Sequence, residues 1–188
     1  MVDIPGVNQV LSPLRSEFLA DTSWDNQLSE HDFLSTLLMT PSIDLALANG
    51  RISLVEELSL NKKARNFSRG GFFLKQDPVV KVVHYLLEQF DQWEERLYHG
   101  LKRILVELIK PSNGQLQPAE GLFITMLNTS YLEIKLVETF FLPEGEEIIG
   151  EERPIAQQEY TKIITIGDKL DLDETPIFTE FLGTFKVK

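Results

Sequence analysis

Cysteine is absent from this 188-residue chain, which removes disulfides, thiolate metal sites and thiol nucleophiles together and fits a reducing, cytoplasmic setting. Histidine occurs three times, so metal chemistry would have to lean on carboxylates. Positive charge is scarce: 18 Lys and Arg stand against 29 Asp and Glu, a net charge of −11. That balance opposes a phosphate backbone and argues against nucleic acid as a partner. Long apolar runs are missing too. Leu101 to Ile109, among the most apolar stretches, is interrupted by charges well short of the ~20 residues that span a bilayer. The opening MVDIPGVNQV has neither the basic and apolar regions of an export signal nor a glycine at position 2 for myristoylation. A cytoplasmic chain with no transmembrane segment is expected, its membrane contact at most peripheral.

What is present is a recurring turn. NGRISLVE (Asn49 to Glu56), NGQLQPAE (Asn113 to Glu120) and GDKLDLDE (Gly167 to Glu174) align without gaps at intervals of 64 and 54 residues. Each has two turn formers, a long polar residue, Ile or Leu, a cap-like residue, two variable positions and Glu. A left-handed glycine ends one helix, and the next begins at once. Ser53 with Glu56 and Asp171 with Glu174 have capping-box spacing, and Pro118 follows Gln117 at a first helical position. Ile52, Leu116 and Leu170, flanked by polar residues, are placed to plug inward.

Other boundaries agree. Asp77-Pro78 is a cap followed by proline at the first helical position, and Val80, Val83, Leu87, Phe90, Leu97, Leu101, Ile104, Leu105 and Leu108 keep a helical stripe to Lys110, one long helix with Gly100 as its candidate break. Further helices are expected over 29–39, 41–47, 54–66, 119–127, 131–141, 155–166 and 175–182. The expected architecture is a single all-α bundle of seven to nine helices with internal helix-turn-helix pseudo-repeats. Ile163 to Ile166 and Gly183 to Lys188 are rich in strand formers, so a small C-terminal hairpin is the alternative there.

ALANGRISLVEEL, SNGQLQPAEGL and TIGDKLDLDETPIF resemble the repeated unit of the tellurite-resistance protein B (TerB) family: a short helix, an Asx-Gly turn, an apolar residue, a cap and a Glu. The resemblance covers roughly residues 30 to 185. It sets residues 1–25 apart as an N-terminal extension to a helical domain over 26–188. It implies a compact bundle of about seven helices, a role in tellurite and other stress resistance, and divalent-metal binding at acidic residues. Asn49 and Asn113 stand where the family has Asp, and the third turn reads Gly167-Asp168, which leaves fewer charged oxygens for a metal.

The turn acids Glu56, Glu120, Asp168, Asp171, Asp173 and Glu174 are the candidate ligands for calcium or magnesium. Caps and first-turn acids favoured by the helix dipole are the plainer account of the same residues. An EF-hand is excluded, because its spacing would put Leu170 and Leu172, or Arg51, at ligand positions. His84, Glu88, Asp91, Glu95, His99 and Lys102 share one stripe of the long helix. They form either half of a bundle metal site or a solvated edge. His31-Asp32 has the residue pair of metal-dependent phosphohydrolases, but that chemistry needs further His and Asp ligands and the chain has three histidines, so a first-turn surface position is the plainer account.

Lys62, Lys63, Arg65, Arg69 and Lys75 alternate with Phe67, Phe72 and Phe73 around Gly70-Gly71. Of these, Lys62, Lys63, Arg65, Arg69, Phe72 and Phe73 are the candidate partner-binding residues, for an acidic protein or the inner membrane face. Core-seeking phenylalanines in a loop are the plainer account. The acidic PEGEEIIGEER, Pro143 to Arg153, reads as a solvated connector. Two functions follow: a TerB-like stress-response adaptor that binds a protein, with a weakly held divalent ion and self-association as further features, or a metal-dependent hydrolase or oxidase using the histidine and carboxylate stripe.

Overall fold

The computed structural model describes residues 2–22, 28–68, 77–109, 153–173, 176–183 and 185–188. They form α1 (Pro5–Thr22), α2 (Glu30–Ala46), α3 (Leu54–Phe67), α4 (Pro78–Ile109), β1 (Arg153–Ile155), α5 (Gln157–Lys169), α6 (Pro176–Gly183) and β2 (Phe185–Val187). The chain is mostly helical, as expected. The helices expected over 119–127 and 131–141, and the second turn from Asn113 to Glu120, lie outside the described residues.

Helix α2 is the centre of the packing. Every residue from Asp32 to Ala46 is buried, and α1, α3, α4 and α5 all pack against it. A helix apolar enough to be covered on all sides belongs inside a bundle. Burial also explains why the two helices expected on either side of Pro41 are one. A mid-helix proline costs about 3 kcal/mol, which a few fully buried side chains at ~1.5–3 kcal/mol each offset; Leu37, Met39 and Ile43 are all at 0% exposure.

Helix α1, expected as an extension, is part of the same core. Val7, Leu11 and Phe18 are fully buried, and the Phe18 ring lies 5.5 Å from Phe33, 4.7 Å from Trp93 and 5.7 Å, edge-on, from Tyr85. Arg96 stacks 3.7 Å over Trp93 and donates to Glu17 (2.7 Å) and Asp21 (3.0 Å), clasping α1 to α4 from outside. Helix α4 is long, as expected, and its irregular backbone falls at Gln89 (φ −125°, ψ 21°), not at the candidate break Gly100. Gly100 serves close approach: a Cβ there would sit 2.5 Å from Leu14 Cδ2 of α1.

The helix starts use the expected chemistry. Asp77 Oδ1 accepts from the backbone N–H of Val79 (2.9 Å) and Val80 (3.2 Å), with Pro78 at the first helical position. At the first turn Gly50 has φ +69°, Ser53 Oγ accepts from Glu56 N–H (3.2 Å), and Glu56 Oε2 accepts from Ser53 N–H (2.7 Å) and Ser53 O–H (2.6 Å). Ile52 is half-buried against the core.

The third turn differs from its expectation. Helix α5 runs on through Gly167 and Asp168, and the left-handed residue is Asp171 (φ 54°). Asp171 N–H donates to Asp168 O (3.1 Å) and Leu172 N–H to Gly167 O (3.0 Å), a Schellman motif. Asp171 therefore ends a helix rather than capping the next one. Gly167 is held in the helix by packing, since a Cβ on it would overlap the buried Phe178 ring of α6. Leu170 is buried, as its position predicts.

The strand formers Ile163 and Ile166 lie in α5 and are buried one turn apart, so tertiary packing overrides β propensity there. Instead of a hairpin, β1 and β2 pair in parallel, with Arg153 opposite Phe185 and Ile155 opposite Val187. Parallel pairing needs a crossover, here supplied by α5 and α6.

Replacing Gly50 with Val should lower stability by roughly 1–2 kcal/mol, because a β-branched residue resists the left-handed region. No atom lies within 4 Å of the added Cβ, so the loss is a backbone effect and Gly50→Asn should recover most of it. Chemical denaturation of the two variants checks this, and equal losses would make the turn conformation irrelevant.

Candidate functional site

The acids proposed as metal ligands are spread over different local tasks. Glu56 is buried and its carboxylate is folded back onto Ser53 in the capping box. Asp171 pairs with Lys102 of α4. Asp168 and Asp173 are exposed, while Glu120 and Glu174 lie outside the described residues. Among the described residues no group of three or more His, Asp or Glu converges to hold a metal.

The α4 stripe is similarly divided. His84 Nδ1 lies 3.7 Å from Glu57 of α3, His99 is exposed, and the irregular backbone at Gln89 interrupts the stripe between them. His31 Nδ1 lies 3.7 Å from Asp32 Oδ1, and Asp32 Oδ2 accepts from Ser29 N–H (3.3 Å) and O–H (2.5 Å), closing the cap of α2.

Of the basic segment, Lys62 and Arg65 are exposed on α3. Lys63 is a correction: it is 3% exposed, donates to Ser42 Oγ (3.1 Å) and lies 5.9 Å from the centre of the Phe67 ring. It sits about 100° round α3 from Lys62's outward direction, its ammonium on Ser42 of α2, and is not available to a partner. Arg69, Phe72 and Phe73 lie outside the described residues.

Two features went unread in the sequence. The first is a polar cluster around Asp44, whose side chain is 2% exposed. Asp44 Oδ1 accepts from Lys162 Nζ (2.8 Å), and Oδ2 from Tyr98 Oη (2.8 Å) and Lys169 Nζ (3.5 Å). Lys169 also pairs with Glu94 and lies 4.7 Å from the centre of the Tyr98 ring. Glu94 and Tyr98 are one turn apart on α4; Lys162 and Lys169 are two turns apart on α5. The cluster thus pins α5 to α2 and α4. A lone acid in the apolar window Ser42-Ile43-Asp44-Leu45 was the available signal, since a buried carboxylate must be paired.

The second is apolar exposure on α3. Leu54 and Leu58 are 71% and 56% exposed, the two highest values among the large hydrophobics described. They are one turn apart, and Lys62 and Arg65 continue the same outward line. Four residues drawn from a helix of low overall apolarity do not reveal in sequence which way they face.

Burial, and then the Asp44 carboxylate, push the Tyr98 phenol far above the ordinary tyrosine range, so it remains a donor. A group whose folded pKa is raised contributes stability that is intact below its unfolded value and lost as pH rises past it. Wild-type stability should therefore fall above pH ~10 with up to about 1.4 kcal/mol per pH unit from this residue. Tyr98→Phe should lower stability at pH 7 by roughly 1.5–3 kcal/mol, the worth of a hydrogen bond to a charged group, and flatten that alkaline slope. Urea unfolding at pH 7 and across pH 9 to 11.5 would show both; an unchanged slope would mean that Tyr98 ionises freely in the fold. No protein-family model, curated protein or solved structure matches this chain, so the geometry of these residues is what bears on function.

Proposed function

We propose that this chain is a non-enzymatic TerB-like binding or adaptor protein of the tellurite-resistance, stress-response type, acting in the cytoplasm through contact with another protein. The observation that supports the reading is the outward face of α3, where two leucines and two cations are exposed together. Contiguous exposed apolar groups bordered by charge are characteristic of contact surfaces. Calcium or magnesium at the turn acids, contact with the inner membrane face and self-association belong to the same proposal as secondary features. The alternative, a metal-dependent hydrolase or oxidase, needs ligands that converge from facing helices, and the described stripe on α4 points His84 at Glu57 instead. No helix among the described residues is long and apolar enough to cross a membrane.

Elemental analysis of the purified protein separates the two readings: the adaptor should carry no stoichiometric iron or manganese, and a tightly held equivalent of either would overturn it. Glu56→Gln should cost about 0.3–1 kcal/mol, equally with and without calcium, if Glu56 is a cap and first-turn acid. A calcium-dependent rise of several degrees in the melting temperature, lost in this variant, would make the turn acid a ligand.

A further inference from the structure

We propose that the outward face of α3 docks an acidic, amphipathic helix of a partner protein; this rests on the binding reading above and adds the chemistry of the partner. Leu54, Leu58, Lys62 and Arg65 follow steps of four, four and three residues, so they form one ridge along the helix. The ridge is about 17 Å long at 1.5 Å per residue and one side chain wide. Ridges at four-residue spacing pack into the grooves of a second helix.

Charge selects the partner. The chain carries −11 overall, yet both acids of α3's first turn are drawn off this ridge. Glu56 is turned into the Ser53 cap, and Glu57 faces His84 of α4. Arg51, exposed just before the cap, adds a third cation at the leucine end. Neither Lys62 nor Arg65 has an ion pair among the described residues. The ridge is therefore apolar in its first half and cationic in its second, with Arg51 just before it, and its complement is a helix with two apolar residues one turn apart and Asp or Glu to either side of them.

A second copy of this chain does not supply that complement: a two-fold contact through this ridge sets Lys62 and Arg65 against a face with no carboxylate of its own. An anionic bilayer does not fit as well either, because a flat surface meets the field of the whole acidic protein, whereas a single helix meets only the ridge.

The test is selection from a random peptide library, displayed on phage, of roughly 16 residues, enough to span the ridge as a helix. Wild-type protein is the target; Leu58→Glu and the double variant Lys62→Glu/Arg65→Glu are counter-targets. All three positions are exposed, so the variants should melt with the wild type. Enriched sequences should be acidic with apolar residues one turn apart. The synthesised peptide should bind at least about tenfold more weakly to either variant, a difference typical of a lost central contact. Enrichment of basic or neutral sequences, equal binding to the variants, or no enrichment overturns the proposal. So does a dimer in sedimentation that Leu58→Glu dissolves, or binding to phosphatidylserine vesicles that the double variant abolishes. Failure here in metal-free protein removes only the ridge as a docking site, whereas bound iron or manganese removes the adaptor reading itself.

Discussion

A carboxylate sealed among helices must find compensation, and Asp44 is where this fold meets that constraint. With 2% of its side chain exposed, it would be costly to ionise alone. The compensation comes from three residues on two other helices: Tyr98 on α4 and Lys162 and Lys169 on α5. Because Lys162 and Lys169 must both reach the same carboxylate, α5 has one rotation and one height against α2. Glu94 holds Lys169 from the other side. Replacing such a cluster by apolar residues need not cost stability, but removing one member leaves a buried charge unpaired. Its contribution here is placement: it fixes α5 on a core that α1, α2 and α4 already form.

That core is organised by α2. Its burial on all sides turns several of its polar side chains to internal use: Thr36 Oγ1 donates to Asp32 O (3.0 Å), and Ser35 Oγ donates to Phe67 O of α3 (3.0 Å). Around it the outer helices are fastened by different means. Aromatic packing and the Arg96 clasp hold α1, the capping box and the buried Lys63 hold the ends of α3, and glycines allow close approach at Gly100 and Gly167. With so many charged groups committed to the frame, chemistry directed outward falls to surfaces. The α3 ridge carries the two most exposed large hydrophobics among the described residues, one turn apart.

Local chemistry was legible residue by residue. Gly50, Ser53 with Glu56, and Asp77-Pro78 announced turns and caps whose partners lie within four residues, and the stripe from Val80 to Leu105 announced the buried face of α4. Each is settled by backbone geometry and spacing along one helix. The third turn misled because Gly167 looked like a terminator: an isolated glycine can end a helix or admit a neighbour, and only the ring of Phe178 distinguishes the two. Pro41 misled similarly, since propensity is a weak term beside burial, whereas the isoleucines of α5 lie in the helix expected there despite their strand propensity.

By itself, then, the sequence determined the helical character of the chain, most helix starts and its acidic balance, because these depend on composition and on contacts a few residues apart. Tertiary structure alone decided that α1 belongs to the core, that β1 and β2 pair in parallel across 30 residues, that Asp44 gathers lysines more than 115 positions away, and that Lys62 faces outward while Lys63 is buried. Adjacent lysines on a helix differ by 100° in direction, and which direction is outside depends on where the other helices lie.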